Sequence, residues 1–223
     1  MARICVFGDS IVYGAWDYEQ GGWVQRLRKF LDEKNLSDSD SEDYFVVYNL
    51  GVSGNNSRDL LERFEFELKQ RLKQEGETII ALAIGINDSY FLCDKNDNSV
   101  LQEEFRENIQ KLIDIAQKFV SKVIFIGLTC VDESKVTPIP WDTNKSYKNE
   151  YIQKYNEIIK SVCKENNVYF IEIFEKWTKL GYKNLLEDGL HPNSKGHEKI
   201  FKIVKDFLIK NKIITLNFEN SEN

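Results

Sequence analysis

Four short stretches hold the residue types of nucleophilic catalysis. "GDS", Gly8-Asp9-Ser10, follows the apolar run Ile4-Cys5-Val6-Phe7 without interruption, which puts a hydroxyl at the end of a predicted buried strand. A serine nucleophile needs a base within hydrogen-bond reach, and that base needs a partner on its other ring nitrogen. The chain has 2 histidines. His191, in "DGLHPNSKGH", has Asp188 three residues upstream, where one turn of chain brings a carboxylate to Nδ1; His197 has only Ser194 at that offset. His191 is therefore the better base. Asn87, in "GIND", follows another apolar run and offers a carboxamide N–H, although an Asn-Asp pair also reads as a turn or cap. Gly51, in "NLGVSGNNS", either supplies a positive φ or lets a backbone N–H approach a ligand closely. Asp9 is expected to hold its turn by accepting from backbone amides. Each stretch is ambiguous alone, since D-x-x-H is a common accident.

The elements that must position these groups follow from the hydrophobic pattern. Apolar runs of strand length recur at residues 3–7, 44–49, 78–84, 122–126 and 168–171. They are rich in Val, Ile and Phe and lack polar alternation, as expected of strands covered on both faces. Between them, helical spacing aligns Leu101, Phe105, Ile109, Leu112, Ile113 and Ala116 on one face. The same spacing aligns Ile152, Tyr155, Ile158, Ile159 and Val162, and later Ile200, Phe201, Val204, Phe207 and Leu208. Strand alternating with helix five times predicts an α/β fold, a three-layer α/β/α sandwich around a five-stranded parallel sheet. One domain is expected over residues 1–210, with a polar tail over 211–223. Ligands of such sheets bind outside the carboxyl ends of the strands, which is where Ser10, Gly51 and Asn87 fall.

Taken in this order along the chain, G-D-S, the strand-end Gly, G-x-N-D and D-x-x-H resemble the motif blocks of the SGNH hydrolases, the GDSL esterase/lipase family. The matching positions are Ser10, Gly51, Asn87 and His191, with Asp188 completing a triad. Ile11 stands where the family name has Leu, and Val12 where many relatives carry Thr. The resemblance implies a flavodoxin-like fold and a serine esterase that needs no metal or organic cofactor. Ser10 would attack the ester carbonyl, His191 would move the proton, and Asp188 would orient the imidazole. The backbone N–H groups of Ser10 and Gly51 and the Asn87 side chain would receive the oxyanion. An acyltransferase would use the same chemistry on another alcohol, and a non-catalytic binding module could share the fold.

Composition excludes several other classes. With 223 residues, 42% hydrophobic and 30% charged, the chain can fill a proper core, and a formal charge of −6 attracts neither nucleic acid nor an anionic membrane. No apolar run approaches the length of a membrane span. Cys5, Cys93, Cys130 and Cys163 are widely separated and form no C-x-x-C pair. A strand beginning near Arg3 leaves no room for a signal peptide, so a cytoplasmic protein is expected. The acidic stretch from Ser37 to Asp43 lacks the glycine and closing glutamate of a calcium loop. The connection from Val131 to Tyr147 is long and polar, a candidate binding loop or lid. It offers little surface to a fatty tail, so the expected substrates are small esters with acetyl to butyryl acyl groups. Tyr13, Trp16, Tyr90, Phe91 and Trp141 lie in or near the candidate crevice loops, where they line an acyl slot, stack on a sugar ring or serve equally as packing.

Overall fold

The structure, a computed structural model, describes residues 1–37, 44–73 and 75–214. Most of the acidic stretch, 38–43, and the last residues, 215–223, lie outside the described residues. Five parallel strands form the main sheet: β1 (Ala2–Gly8), β2 (Phe45–Gly51), β3 (Glu77–Ala83), β6 (Lys122–Ile126) and β8 (Tyr169–Ile171), in the order β2-β1-β3-β6-β8. This is the flavodoxin-like order, in which the chain changes direction between β1 and β3 and opens a crevice at that switch point. The interior strand β1, between β2 and β3, has Ile4, Cys5, Val6 and Phe7 buried. In edge strand β2, Phe45, Val47 and Leu50 are buried, while Val46, Tyr48 and Asn49 are half-buried or exposed.

Helices α2 (Trp23–Ser37) and α8 (Ser194–Lys210) pack together, while α3 (Ser57–Lys69), α4 (Gln102–Gln117) and α6 (Asn149–Glu165) pack in succession. Their apolar stripes face inward: Phe105, Ile109, Leu112 and Ile113 of α4 and Ile152, Tyr155, Ile159 and Val162 of α6 are all buried. Short helices α1 (Ser10–Tyr13), α5 (Glu133–Val136) and α7 (Phe174–Thr178) follow three of the main strands.

A second sheet was not foreseen. Strands β4 (Phe91–Leu92), β5 (Asp97–Asn98) and β7 (Lys145–Ser146) form a small antiparallel sheet in the order β5-β4-β7. It fastens the connection after β6, where Val131, Val136, Ile139 and Tyr147 are buried. The segment expected to be a polar binding loop or lid is thus anchored by four apolar residues and a ladder, with Trp141 left exposed.

Candidate active site

Ser10 opens α1 immediately beyond β1. Asp9 precedes it in extended conformation and caps the helix, its Oδ1 accepting from the Ile11 N–H at 2.9 Å. Close packing fixes this turn. A Cβ on Gly8 would stand 2.2 Å from the Ala83 carbonyl oxygen, and one on Gly51 would stand 2.2 Å from the Tyr13 nitrogen. Gly51 has no positive φ; it is needed so that β2 can pass beside the Asp9–Tyr13 backbone.

Beyond η1 (Tyr182–Leu185), the chain returns to the crevice through Asp188 and His191. Ser10 Oγ lies 2.9 Å from His191 Nε2, and His191 Nδ1 lies 2.7 Å from Asp188 Oδ2. Asp188 Oδ1 accepts from the N–H groups of Leu190 and His191, at 2.9 and 2.8 Å. The indole Nε1–H of Trp16 donates to Asp188 Oδ2 at 2.8 Å. With four donors the carboxylate is saturated. Burial pushes its pKa up, but the hydrogen bonds from His191 outweigh this and hold it well below the ordinary carboxylate range.

Asn87, beyond the end of β3, is clamped. Its Nδ2 donates to the Asn55 carbonyl at 2.9 Å, and its Oδ1 accepts from the Tyr147 hydroxyl at 2.7 Å. An amide nitrogen carries two N–H groups, so one remains for a ligand. Burial raises the Tyr147 phenol far above its usual range, so it stays a donor. Arg63 ties the same wall together, with Nε on Asn55 Oδ1 at 2.7 Å and a guanidinium N–H on the Gly8 carbonyl at 3.0 Å. The Gly51 N–H points to Asn49 Oδ1 at 3.0 Å, so this donor is already engaged.

Two buried carboxyls lie beneath the site. Burial raises Asp9 to about 6 against the helix-capping bond from Ile11. Burial also raises Asp88 to about 7, although Ser57 donates to it through both its backbone N–H and its hydroxyl. Asp88 thereby fastens the start of α3, and Asn108 completes the network on the Ser57 hydroxyl at 2.9 Å.

His197 is fully buried, and its ring nitrogens bond groups other than the Ser10 hydroxyl. Its Nδ1 accepts from the Trp23 N–H at 3.2 Å and its Nε2–H donates to the Ala15 carbonyl at 3.0 Å. Burial lowers its pKa and keeps it neutral. Ser194 bonds Arg26, not His197. Of the aromatic candidates, Tyr13 and Trp16 line a cleft beside His191 together with Tyr18 and Ser53. Tyr90 packs edge-on against Tyr147, and Phe91 stacks on Tyr151. Among the described residues, no three or more His, Cys, Asp or Glu side chains are grouped to hold a metal ion.

This geometry can be set beside known proteins. The GDSL-like Lipase/Acylhydrolase family model matches residues 6–199. The isoamyl acetate-hydrolyzing esterase of Saccharomyces cerevisiae is 27% identical, over 92% of this chain and 87% of its own length. The acetylxylan esterase of Geobacillus stearothermophilus is 25% identical, over 68% of this chain and 66% of its own. In fold, the chain resembles the lipase/acylhydrolase of Enterococcus faecalis, with a TM-score of 0.73, 21% identity, and coverage of 98% of this chain and 100% of that one.

Proposed function

Since the chain belongs to the GDSL-like lipase/acylhydrolase family, an esterase/acylhydrolase family of ester-bond hydrolases, we propose that it cleaves short-chain acyl esters with a Ser10–His191–Asp188 triad. The observation that carries this reading is the unbroken relay from Ser10 Oγ through His191 to Asp188 Oδ2, at 2.9 and 2.7 Å. His191 Nε2 takes the Ser10 proton as Oγ attacks the carbonyl carbon, then returns it to the leaving alcohol oxygen. Asp188 keeps the other proton on Nδ1 and balances the imidazolium. Water, deprotonated by the same imidazole, then releases the acid from the acyl-enzyme.

The oxyanion is assigned to the backbone N–H of Ser10, the remaining Asn87 Nδ2–H and the N–H of Gly51. Gly51 can contribute once Asn49 Oδ1 shares or yields its hydrogen bond; catalytic contacts often tighten only in the complex. Two features support a short acyl group. The 131–147 connection is packed down rather than free to cover a long chain, and two relatives are named for acetate or acetyl esters.

A fluorophosphonate probe tests the nucleophile. It should label Ser10, and Ser10→Ala should abolish both labelling and hydrolysis, a loss on the order of 10⁶ in rate. Labelling at another serine would overturn the assignment. On soluble p-nitrophenyl esters, kcat/KM should peak between acetyl and butyryl. A long acyl groove would instead make it climb with each CH₂, by up to about 0.8 kcal/mol per group.

A further inference from the structure

The cleft beside His191 is unusual in its walls. It has a volume of about 320 Å³ and is lined by Tyr13, Trp16, Tyr18, Ser53 and His191, among others. Three large aromatic residues fall within six positions of the chain and all face solvent: Tyr13 is 62% exposed, Trp16 45% and Tyr18 78%. Clustered exposed aromatic surface marks a binding site more often than chance.

The Trp16 wall is held in place. Trp16 has φ 67°, a left-handed conformation that a bulky side chain keeps only when its surroundings dictate it. Those surroundings are visible. The indole N–H is bonded to Asp188, and the ring stands edge-on to His191 at 6.0 Å and 87°. Next in the chain, the buried Asp17 carboxylate accepts from the N–H groups of Gln20 and Gly22 and is paired with Arg26. Tyr18 lies 6.3 Å from Trp16, its ring tilted by 33° to the indole.

Position identifies what fills the cleft. In the tetrahedral intermediate, His191 must reach both Ser10 Oγ and the leaving oxygen, whereas the carbonyl oxygen turns toward Asn87 and Gly51. The group on the His191 side is therefore the alcohol. Asp17 is neutralised by Arg26, so the lining offers no free charge, and Ser53 adds a hydroxyl. Resting on the triad reading above, we propose that Tyr13, Trp16 and Tyr18 form a leaving-group subsite for neutral alcohols that carry a six-membered ring. A ring presents a flat C–H face to the indole and phenol, and a flexible chain must first lose conformational freedom to do so. The same subsite would seat a ring alcohol as acceptor: its O–H proton passes to His191 Nε2, its oxygen attacks the acyl carbon, and Ser10 Oγ leaves and regains the proton.

Three acetates of primary alcohols test this in pairwise competition: n-heptyl acetate, cyclohexylmethyl acetate and methyl glucoside 6-acetate. The acyl group is constant, and product ratios report relative kcat/KM whatever the amount of active enzyme. At least one ring ester should be favoured over the heptyl ester by about tenfold, falling below about threefold in Tyr18→Ala, as expected for one aromatic contact. Preference for cyclohexylmethyl identifies an apolar ring as the natural source, and preference for the glucoside identifies a sugar. A parent ratio near one, or a ratio that neither Tyr18→Ala nor Tyr13→Ala changes, would overturn the subsite. Equal cleavage of all three with Ser10 labelled by fluorophosphonate discards the subsite alone. No cleavage and no labelling discards the esterase mechanism with it.

Discussion

The hydroxyl of Tyr147 is the side-chain group that fixes which way the Asn87 amide points. Its bond to Asn87 Oδ1, at 2.7 Å, together with the Asn55 carbonyl on Nδ2, leaves one orientation of the carboxamide. Without the Tyr147 bond the carboxamide is held from one end only, and its remaining N–H is no longer preorganised toward the developing oxyanion. Tyr147→Phe should therefore lower kcat by about tenfold with little change in KM, the scale of one neutral hydrogen bond. In an Asn87→Ala background the same change should have almost no further effect, because both act through one amide. Additive losses in the double variant would mean that Tyr147 works by another route. Such partners are invisible in the sequence. Ser10 and Asn87 stand out because each follows an apolar run, and His191 because it is one of two histidines with a carboxylate nearby. Tyr147 lies 60 residues from Asn87, and Trp16 lies 172 from Asp188. Nothing in local spacing encodes either pairing.

Among the elements, the segment from Gly14 to Gly22 depends on His197, which links the Ala15 carbonyl to the Trp23 N–H from the opposite helix α8. Removing the imidazole leaves the buried Trp23 N–H and the half-buried Ala15 carbonyl without this partner and opens a cavity. His197→Ala should destabilise the fold by about 2–4 kcal/mol, read as a lower denaturant midpoint. Its activity well below the melting transition should stay within several-fold of the parent, whereas His191→Ala should lose nearly as much as Ser10→Ala. Equal catalytic damage from both would require a second role for His197. The main strands were legible because burial on both faces leaves an unbroken apolar run, and the long helices because burial on one face imposes a period. The β4, β5 and β7 strands were not, since two residues have no period. The 131–147 connection misled for a related reason: Lys135, Asp142 and Lys145 dominate its composition, while spaced apolar residues at 131, 136, 139 and 147 do the anchoring.

For the whole molecule, the parallel sheet drives the carboxyls at the ends of β1 and β3 into the interior, and this gives folding a pH dependence. Asp9 and Asp88 are raised to about 6 and about 7 by burial, against ordinary values of 3.8. A carboxyl with a higher pKa in the folded state binds its proton better there. Its contribution to stability is complete below about pH 4 and is lost as the pH rises through 6 to 7. His197 acts in the opposite direction. Its pKa is lowered by burial, so the unfolded chain gains a proton that the native state refuses as the pH falls below about 6.5. Exposed ion pairs such as Arg28–Asp32 contribute little to either trend. The melting temperature should therefore be highest in the weakly acidic range and decline toward pH 8. Asp88→Asn removes one of the two buried titrations and should flatten that decline, whatever its effect on absolute stability through the altered bonds to Ser57. The slope between about pH 5.5 and 8, followed by calorimetry at constant ionic strength, is the quantity to compare. A parent curve that is flat over this range, or an equal slope in Asp88→Asn, would mean that Asp88 is ionised in the native state at little cost and that its Ser57 donors outweigh its burial.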